Sequence, residues 1–231
     1  MWDDPHALRR LANSLMGLAV LLALLIALDY ALHLPVFALR AVQLDAPPQR
    51  LDRAQLEEAA RRSLRGNFFT VDLDEAREAF EQLPWVRSVS VRRQFPWQLD
   101  VRLEERQALA RWNGNALVDT DGEVFAATDS AALPEFSGPD DAAAEMAQRY
   151  VEFGRVLAPL GFSIAAMDLS PRHAWRLKLQ DGTLIELGRD HLKARLARFV
   201  AAYPQYAAQV KAPAKYVDLR YRDGFAAGMH G

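Results

Sequence analysis

Hydrophobic and polar positions divide the chain into three regimes. The first is residues 11–34, whose middle, Leu15–Leu28 (LMGLAVLLALLIAL), has no charge and no proline. The run predicts a membrane helix, because residues 11–34 would span roughly 36 Å as an α-helix, against a hydrocarbon core of about 30 Å. Pro35 ends it. No second apolar run of spanning length follows, so the expected layout is a tail (1–10), one helix (11–34) and a large extramembrane portion. Arg9 and Arg10 flank one end, and a large folded portion can be translocated regardless of its charge, so the N-terminus is expected in the cytoplasm. A cleaved leader is the competing reading. Against it, Ala27-Leu28-Asp29 and Asp29-Tyr30-Ala31 each place Asp where cleavage needs a small residue.

In the second regime the period changes twice. Residues 37–46 (FALRAVQLDA) alternate loosely, with Val42 and Leu44 on one side, and read as a strand that Pro47-Pro48 breaks. Asp52 and Gln55 form a capping pair ahead of Leu56, Ala60 and Leu64, and Gly66 is the stop. Asp72 and Glu75 open a second helix, in which Leu73, Ala76, Phe80 and Leu83 make one apolar stripe before Pro84. Val89 and Val91 then alternate with polar residues, a turn falls at Gln94–Trp97, and Leu99, Val101 and Leu103 alternate again. This predicts a hairpin with one buried face.

From Ala108 the pattern is mainly β. Ala116–Val118 and Glu123–Phe125 flank a turn at Asp119–Gly122. An EF-hand loop is excluded there, because no Gly stands five residues after Asp119 and no Glu closes the loop. Ala143, Met146, Tyr150, Phe153 and Leu157 predict an amphipathic helix opened by Asp140 and Asp141, with Glu145 and Arg149 paired on its wet side and Pro159 and Gly161 at its end. Trp175, Leu177 and Leu179 alternate before Gln180-Asp181-Gly182. A three-residue loop with Gly182 left-handed would pair Leu177 with Ile185 and Trp175 with Leu187. Leu192, Leu196, Phe199 and Tyr203 predict another helix, begun near Asp190 and stopped by Pro204, with Lys193, Arg195 and Arg198 on a solvated basic face. Residues 215–221 (KYVDLRY) alternate Val217, Leu219 and Tyr221 against Tyr216, Asp218 and Arg220, and are expected to be the last strand.

The fold class read from this order is α+β: an N-terminal membrane helix, a β-α-α-β-β domain over residues 37–105, and a mainly β domain over 106–231 with two or more helices and an open C-terminal edge strand. The first domain has the element order of a POTRA domain. Behind its N-terminal helix, GNFFTVDLDEAREAFEQLPWVRSVSVRRQFPWQLDVRLEERQALARW (66–112) resembles the FtsQ/DivIB family of bacterial cell-division proteins.

That resemblance implies a non-enzymatic scaffold of the division machinery in the inner membrane, with a periplasmic domain and with FtsB and FtsL as partners. It also implies that a segment of FtsB adds as a strand to an open carboxy-terminal edge. The positions that match the family's contact region are Leu219, Tyr221, Asp223 and Gly224, together with Arg172 ahead of Trp175. Tyr221 is the implied anchor, and Gly224 would let the partner backbone come close. Family members often carry a small hydroxyl residue before this Gly, whereas Asp223 stands here.

Charge and chemistry narrow the alternatives. With 28 Lys and Arg spread along the chain against 30 Asp and Glu, there is no electrostatic footprint for nucleic acid. Cysteine is absent, which removes disulfides, thiolate metal sites and Cys nucleophiles together. His6, His33, His173, His191 and His230 show no metal-ligand spacing, no G-x-S-x-G elbow or phosphate loop occurs, and Glu57-Glu58 and Glu104-Glu105 are sequence neighbours that point apart. No catalytic residue, cofactor, metal or small-molecule substrate is expected. Rival classes are a POTRA-bearing secretion or outer-membrane assembly component and an exported enzyme with a cleaved leader. Within the apolar run, Ala19, Ala23, Ala27 and Ala31 recur every fourth residue and would let a neighbouring helix approach closely, although general alanine richness also accounts for them. Asp29, Tyr30 and His33 suit the membrane interface.

Overall fold

The computed structural model describes residues 5–32, 34–210, 214–221 and 224–228. The chain divides into two compact units, Met1–Glu105 and Arg106–Gly231.

The first unit opens with helix α1, Pro5–Leu32. Its segment Arg9–Leu32 is long and apolar enough to cross a membrane, and none of its most apolar window is buried. A 3-10 turn, Pro35–Phe37, follows. Strand β1 (Ala41–Leu44), helices α2 (Arg53–Ser63) and α3 (Leu73–Glu81), and strands β2 (Val86–Gln94) and β3 (Gln98–Glu105) complete the unit. The sheet order is β1-β3-β2, with β1 parallel to the central β3. The Asp52 carboxylate caps α2 by accepting from Ala54 N at 3.1 Å. Asp72 caps α3 through Asp74 N and Glu75 N at 2.9 and 3.1 Å. These caps satisfy amides that have no partner inside their helices. In α2 the buried face is Leu56, Ala59 and Ser63, with Ala60 and Leu64 half-buried, so the inward stripe is rotated from the expected one. Ser63 tolerates burial because its hydroxyl donates to Ala59 O at 2.9 Å. Across the hairpin, Val89 lies opposite Leu103 and Val91 opposite Val101, so the expected apolar face forms. The Glu105 carboxylate closes the unit by accepting the backbone amides of Gln49, Arg50 and Leu51 at 3.0, 3.0 and 3.3 Å.

The second unit is one nine-stranded sheet with two long helices. Its strands are β4 (Ala108–Trp112), β5 (Ala116–Asp119), β6 (Val124–Phe125), β7 (Glu135–Ser137), β8 (Ile164–Leu169), β9 (Trp175–Leu179), β10 (Leu184–Gly188), β11 (Tyr216–Asp218) and β12 (Ala226–Gly228). They stand in the order β12-β11-β10-β9-β8-β7-β4-β5-β6. Helices α4 (Ala143–Leu157) and α5 (Leu192–Gln209) pack on each other and on the sheet. One row of cross-strand partners, Trp112–Phe136–Met167–Leu177–Ile185–Val217–Ala227, runs through seven strands; its first six members are at most 4% exposed. The α4 stripe of Met146, Phe153 and Leu157 and the α5 stripe of Leu192, Leu196 and Phe199 bury in the same core. Asp119, itself buried, holds its turn by accepting from Asp121 N at 3.0 Å and Glu123 N at 2.9 Å and pairs with Arg106 at 2.7 Å.

Four expectations are corrected in this unit. Leu177 does pair with Ile185, and Gly182 is left-handed (φ 89°), but Trp175 faces Gly188 instead of Leu187. A β-bulge between Glu186 and Gly188, with Gly188 at φ 78°, adds the extra residue. Helix α5 runs through Pro204 to Gln209. The Tyr203–Tyr206 and Tyr206–Phe225 ring contacts, at 6.0 and 5.8 Å between centroids, give the extra turn a packing partner that offsets the missing amide. Its basic residues are not merely solvated: the Arg195 guanidinium donates to Leu187 O at 2.6 Å, and Lys193 pairs with Glu152 at 3.4 Å. Lastly, residues 215–221 do not form the last strand, because β12 follows and lies outside β11.

Candidate functional site at the C-terminal sheet edge

The end of the sheet is built outward from β10. β11 runs parallel to β10, with Leu184, Ile185 and Glu186 opposite Tyr216, Val217 and Asp218. It is pinned by Leu184 N donating to Lys215 O and Leu219 N donating to Glu186 O, both at 2.9 Å. Strand alternation then fixes what the next strand meets. Leu219 and Val217 turn their backbone groups toward β10, so Tyr216 and Asp218 turn theirs toward β12. β12 is antiparallel, with Tyr216 opposite Gly228, Val217 opposite Ala227 and Asp218 opposite Ala226. Ala227 therefore directs its N–H and C=O to the outer side, where no strand among the described residues pairs with it.

Phe225 seats the start of β12. Its ring meets Phe199 at 5.4 Å and Tyr206 at 5.8 Å, both on α5. The side chains of Ala226–Gly228 are small, so the outermost backbone is sterically accessible to another chain.

On the opposite face of the sheet from the apolar row, Asp168, Arg176, Glu186 and Asp218 form a lateral row of charges. Arg176 donates to Glu186 at 2.6 Å, and this raises the guanidinium pKa. Arg220 forks onto Asp218, with Nε at 2.9 Å from Oδ1 and Nη2 at 2.6 Å from Oδ2, and its amide also donates to Oδ1 at 2.9 Å. The side-chain bonds from Arg220 hold the Asp218 carboxyl below the usual carboxylate range despite its burial. The same bonds push the Arg220 guanidinium up. This fork fixes the course of the chain as it leaves β11.

Of the contact positions singled out in the sequence, Arg172, Leu219, Tyr221 and Gly224 gather at one end of this sheet. Leu219 is buried and supports the edge from within. Tyr221 stands 58% exposed. Gly224 is exposed, and a side chain there would meet none of the other described residues within 4 Å. Arg172 is exposed on the turn between β8 and β9, which is closed by His173 N donating to Ser170 O at 2.8 Å. Since β9 starts where β10 and β11 finish, that turn and the β11–β12 connection share one end, two strands or roughly 10 Å apart. Asp223 lies outside the described residues, as do His33 and His230. Sequence reading missed Phe225 and β12 itself. The available signal was a lone large apolar residue, Phe225, just beyond Gly224 and ahead of small residues.

On α1, Ala19, Ala23 and Ala27 are exposed on one face and Ala31 is half-buried. Among the described residues no group of three or more His, Cys, Asp or Glu is placed to hold a metal ion.

Residues 37–106 match the family described as POTRA domain, FtsQ-type, and residues 110–220 match Cell division protein FtsQ/DivIB, C-terminal. The chain is 40% identical over 232 residues to a cell division protein FtsQ of Nitrosospira multiformis, covering 98% of each. It is 41% identical over 239 residues to that of Burkholderia pseudomallei, covering 99% of this chain and 96% of the relative. Similarity to the FtsQ of Escherichia coli is 39% over 171 residues, covering 71% of this chain and 62% of the relative.

Proposed function

The chain belongs to the FtsQ/DivIB family of cell-division proteins, and from that membership we propose that it is a non-enzymatic scaffold that captures FtsB, and with it FtsL, by strand addition to β12. In this reading α1 spans the inner membrane with its N-terminus in the cytoplasm, and both folded units lie in the periplasm at the division septum. The observation that carries the reading is the outward-facing backbone of Ala227 on the outermost strand of a nine-stranded sheet. An incoming strand would gain backbone hydrogen bonds there without displacing any element.

Exposed Tyr221 and Gly224 flank the edge, where the first offers a ring for a partner side chain to cover and the second leaves room for a partner backbone. Arg172 would supply charge at the same end, and Asp223 is the remaining position matched to the family's contact region. Leu219 acts by holding β11 in place. Ala19, Ala23, Ala27 and Ala31 present the narrow face of α1 on which the membrane helix of a partner would pack. The test of the cellular role is depletion in the native bacterium while a tagged copy is followed. Long undivided cells and a midcell band are expected, whereas normal division with a leaky envelope would assign the chain to outer-membrane assembly instead.

A further inference from the structure

We infer that the pole of the first unit formed by Val36, Phe69, Phe95 and Trp97 lies in the interfacial layer of the lipid bilayer, so that this unit is seated on the membrane by its own aromatic residues. The inference rests on the reading of α1 as a membrane helix.

Three separate chain segments bring five aromatic rings together. Phe37 follows α1, Phe68 and Phe69 precede α3, and Phe95 and Trp97 form the tip of the β2–β3 hairpin. Phe37 meets Phe69 and Trp97 at 5.2 Å each, Phe68 meets Phe69 at 5.3 Å and Trp97 at 5.5 Å, and Phe95 meets Trp97 at 5.9 Å. Only the inner part of this cluster is core. Phe68 is buried, but Val36 is 58% exposed, Phe69 47% and Phe95 78%.

Backbone hydrogen bonds place the cluster against the end of α1. Leu34 N donates to Ala31 O at 3.2 Å and Phe37 N to Leu34 O at 3.1 Å. The Asn67 side-chain amide donates to Leu32 O. Phe68 N donates to Phe37 O at 2.9 Å, and Arg40 N to Trp97 O at 3.0 Å. A span of 24 residues, Arg9–Leu32, gives roughly 36 Å of helix for a core of about 30 Å, so Leu32 ends in the polar layer that flanks the core. Groups bonded to that end share its depth, where Trp and other rings are favoured.

The loop before α3 is also built for a water-poor surface. Every amide from Asn67 to Val71 is bonded inside the unit: Asn67 N to Thr70 Oγ1, Phe68 N to Phe37 O, Phe69 N and Thr70 N to Asn67 Oδ1, and Val71 N to Asn67 O. The Arg93 guanidinium takes up the carbonyls of Phe68, Phe69 and Val71 at 2.8, 3.4 and 2.6 Å. Closure of this kind lets the loop face a surface poorer in water than bulk solvent without leaving an amide open. Around the rim, Arg40, Arg65 and Arg92 are exposed and make no ion pair among the described residues, which leaves them available to lipid phosphates.

The test uses the full chain, which has no cysteine, in vesicles of phosphatidylethanolamine and phosphatidylglycerol. Single spin labels are placed at Phe95→Cys, at Leu22→Cys in the middle of α1, and at Gln82→Cys, beyond the opposite end of the hairpin. Accessibility to a water-soluble nickel chelate is compared with accessibility to oxygen. Position 95 is expected to show a severalfold loss of nickel accessibility relative to 82 and to read shallower than 22. Equal nickel accessibility at 95 and 82, with 22 in lipid, would overturn the inference and leave the anchor standing. Nickel access at 22 as well would remove the anchor and the inference together.

Discussion

Val217 of β11 lies directly opposite Ala227 of β12, with Ile185 of β10 on its other side. This pairing ties the sheet edge to the core. The side chains of the row point inward, where Val217 is wholly buried, while the backbone of the outermost member faces away from the sheet. The edge is thus anchored by burial on one side and, among the described residues, unpaired on the other, which is the condition for adding a strand without refolding.

Tyr221 is 58% exposed and follows β11 without entering the core. Tyr221→Ala is expected to leave the unfolding midpoint unchanged and to weaken FtsB capture about tenfold, in the range of roughly 1–2 kcal/mol for an interfacial aromatic. Titration of the purified variant with FtsB measures this, and unchanged affinity would remove Tyr221 from the site.

The Asp218–Arg220 fork predicts a pH dependence. The folded carboxyl is held below its unfolded value, so its contribution is fully present above about pH 4 and is lost as pH falls through the folded value. Because the Arg220 side chain is 57% exposed, the pair contributes only about 0.5–1 kcal/mol. Asp218→Asn should therefore lower stability by that amount at neutral pH and progressively less at acid pH, as the folded carboxyl becomes protonated. Urea midpoints at neutral and acid pH test it, and a constant difference would be inconsistent with the ion pair as its cause.

Pro204 sits inside α5 and is exposed. Restoring the missing amide with Pro204→Ala should stabilise the second unit by about 1–2 kcal/mol, less than the roughly 3 kcal/mol helix penalty because proline also restricts the unfolded chain. A rise in the thermal midpoint is the expected result. A fall would mean that the proline is itself needed to bring Tyr206 against Phe225.

Helical stripes were legible because period and burial agree: Ala76 and Phe80 in α3, and Met146, Phe153 and Leu157 in α4, are buried where their spacing puts them. The hairpin at Gln94–Trp97 was legible for the same reason, since Val89, Val91, Leu99 and Val101 share one face. Departures came where distant groups override a local rule. The bulge at Gly188 is held by Arg195 reaching Leu187 O, and the length of α5 depends on Phe225 packing under Tyr206. β12 was invisible because Ala226-Ala227-Gly228 has little strand propensity and becomes a strand through its partner β11. Of the site, Tyr221 and Gly224 were reached through family resemblance, and no local pattern would have separated Tyr221 from a core residue.

Amide exchange at single residues reports whether FtsB adds to the outer side of β12. In the full chain labelled with ¹⁵N-alanine and held in nanodiscs, the Ala226 amide already faces Asp218, whereas the Ala227 amide faces outward. Saturation with the periplasmic segment of FtsB is predicted to slow exchange at Ala227 by at least about tenfold, equivalent to roughly 1.4 kcal/mol of protection, and to change Ala226 little. Tight FtsB binding with unchanged exchange at Ala227 would contradict strand addition at this edge.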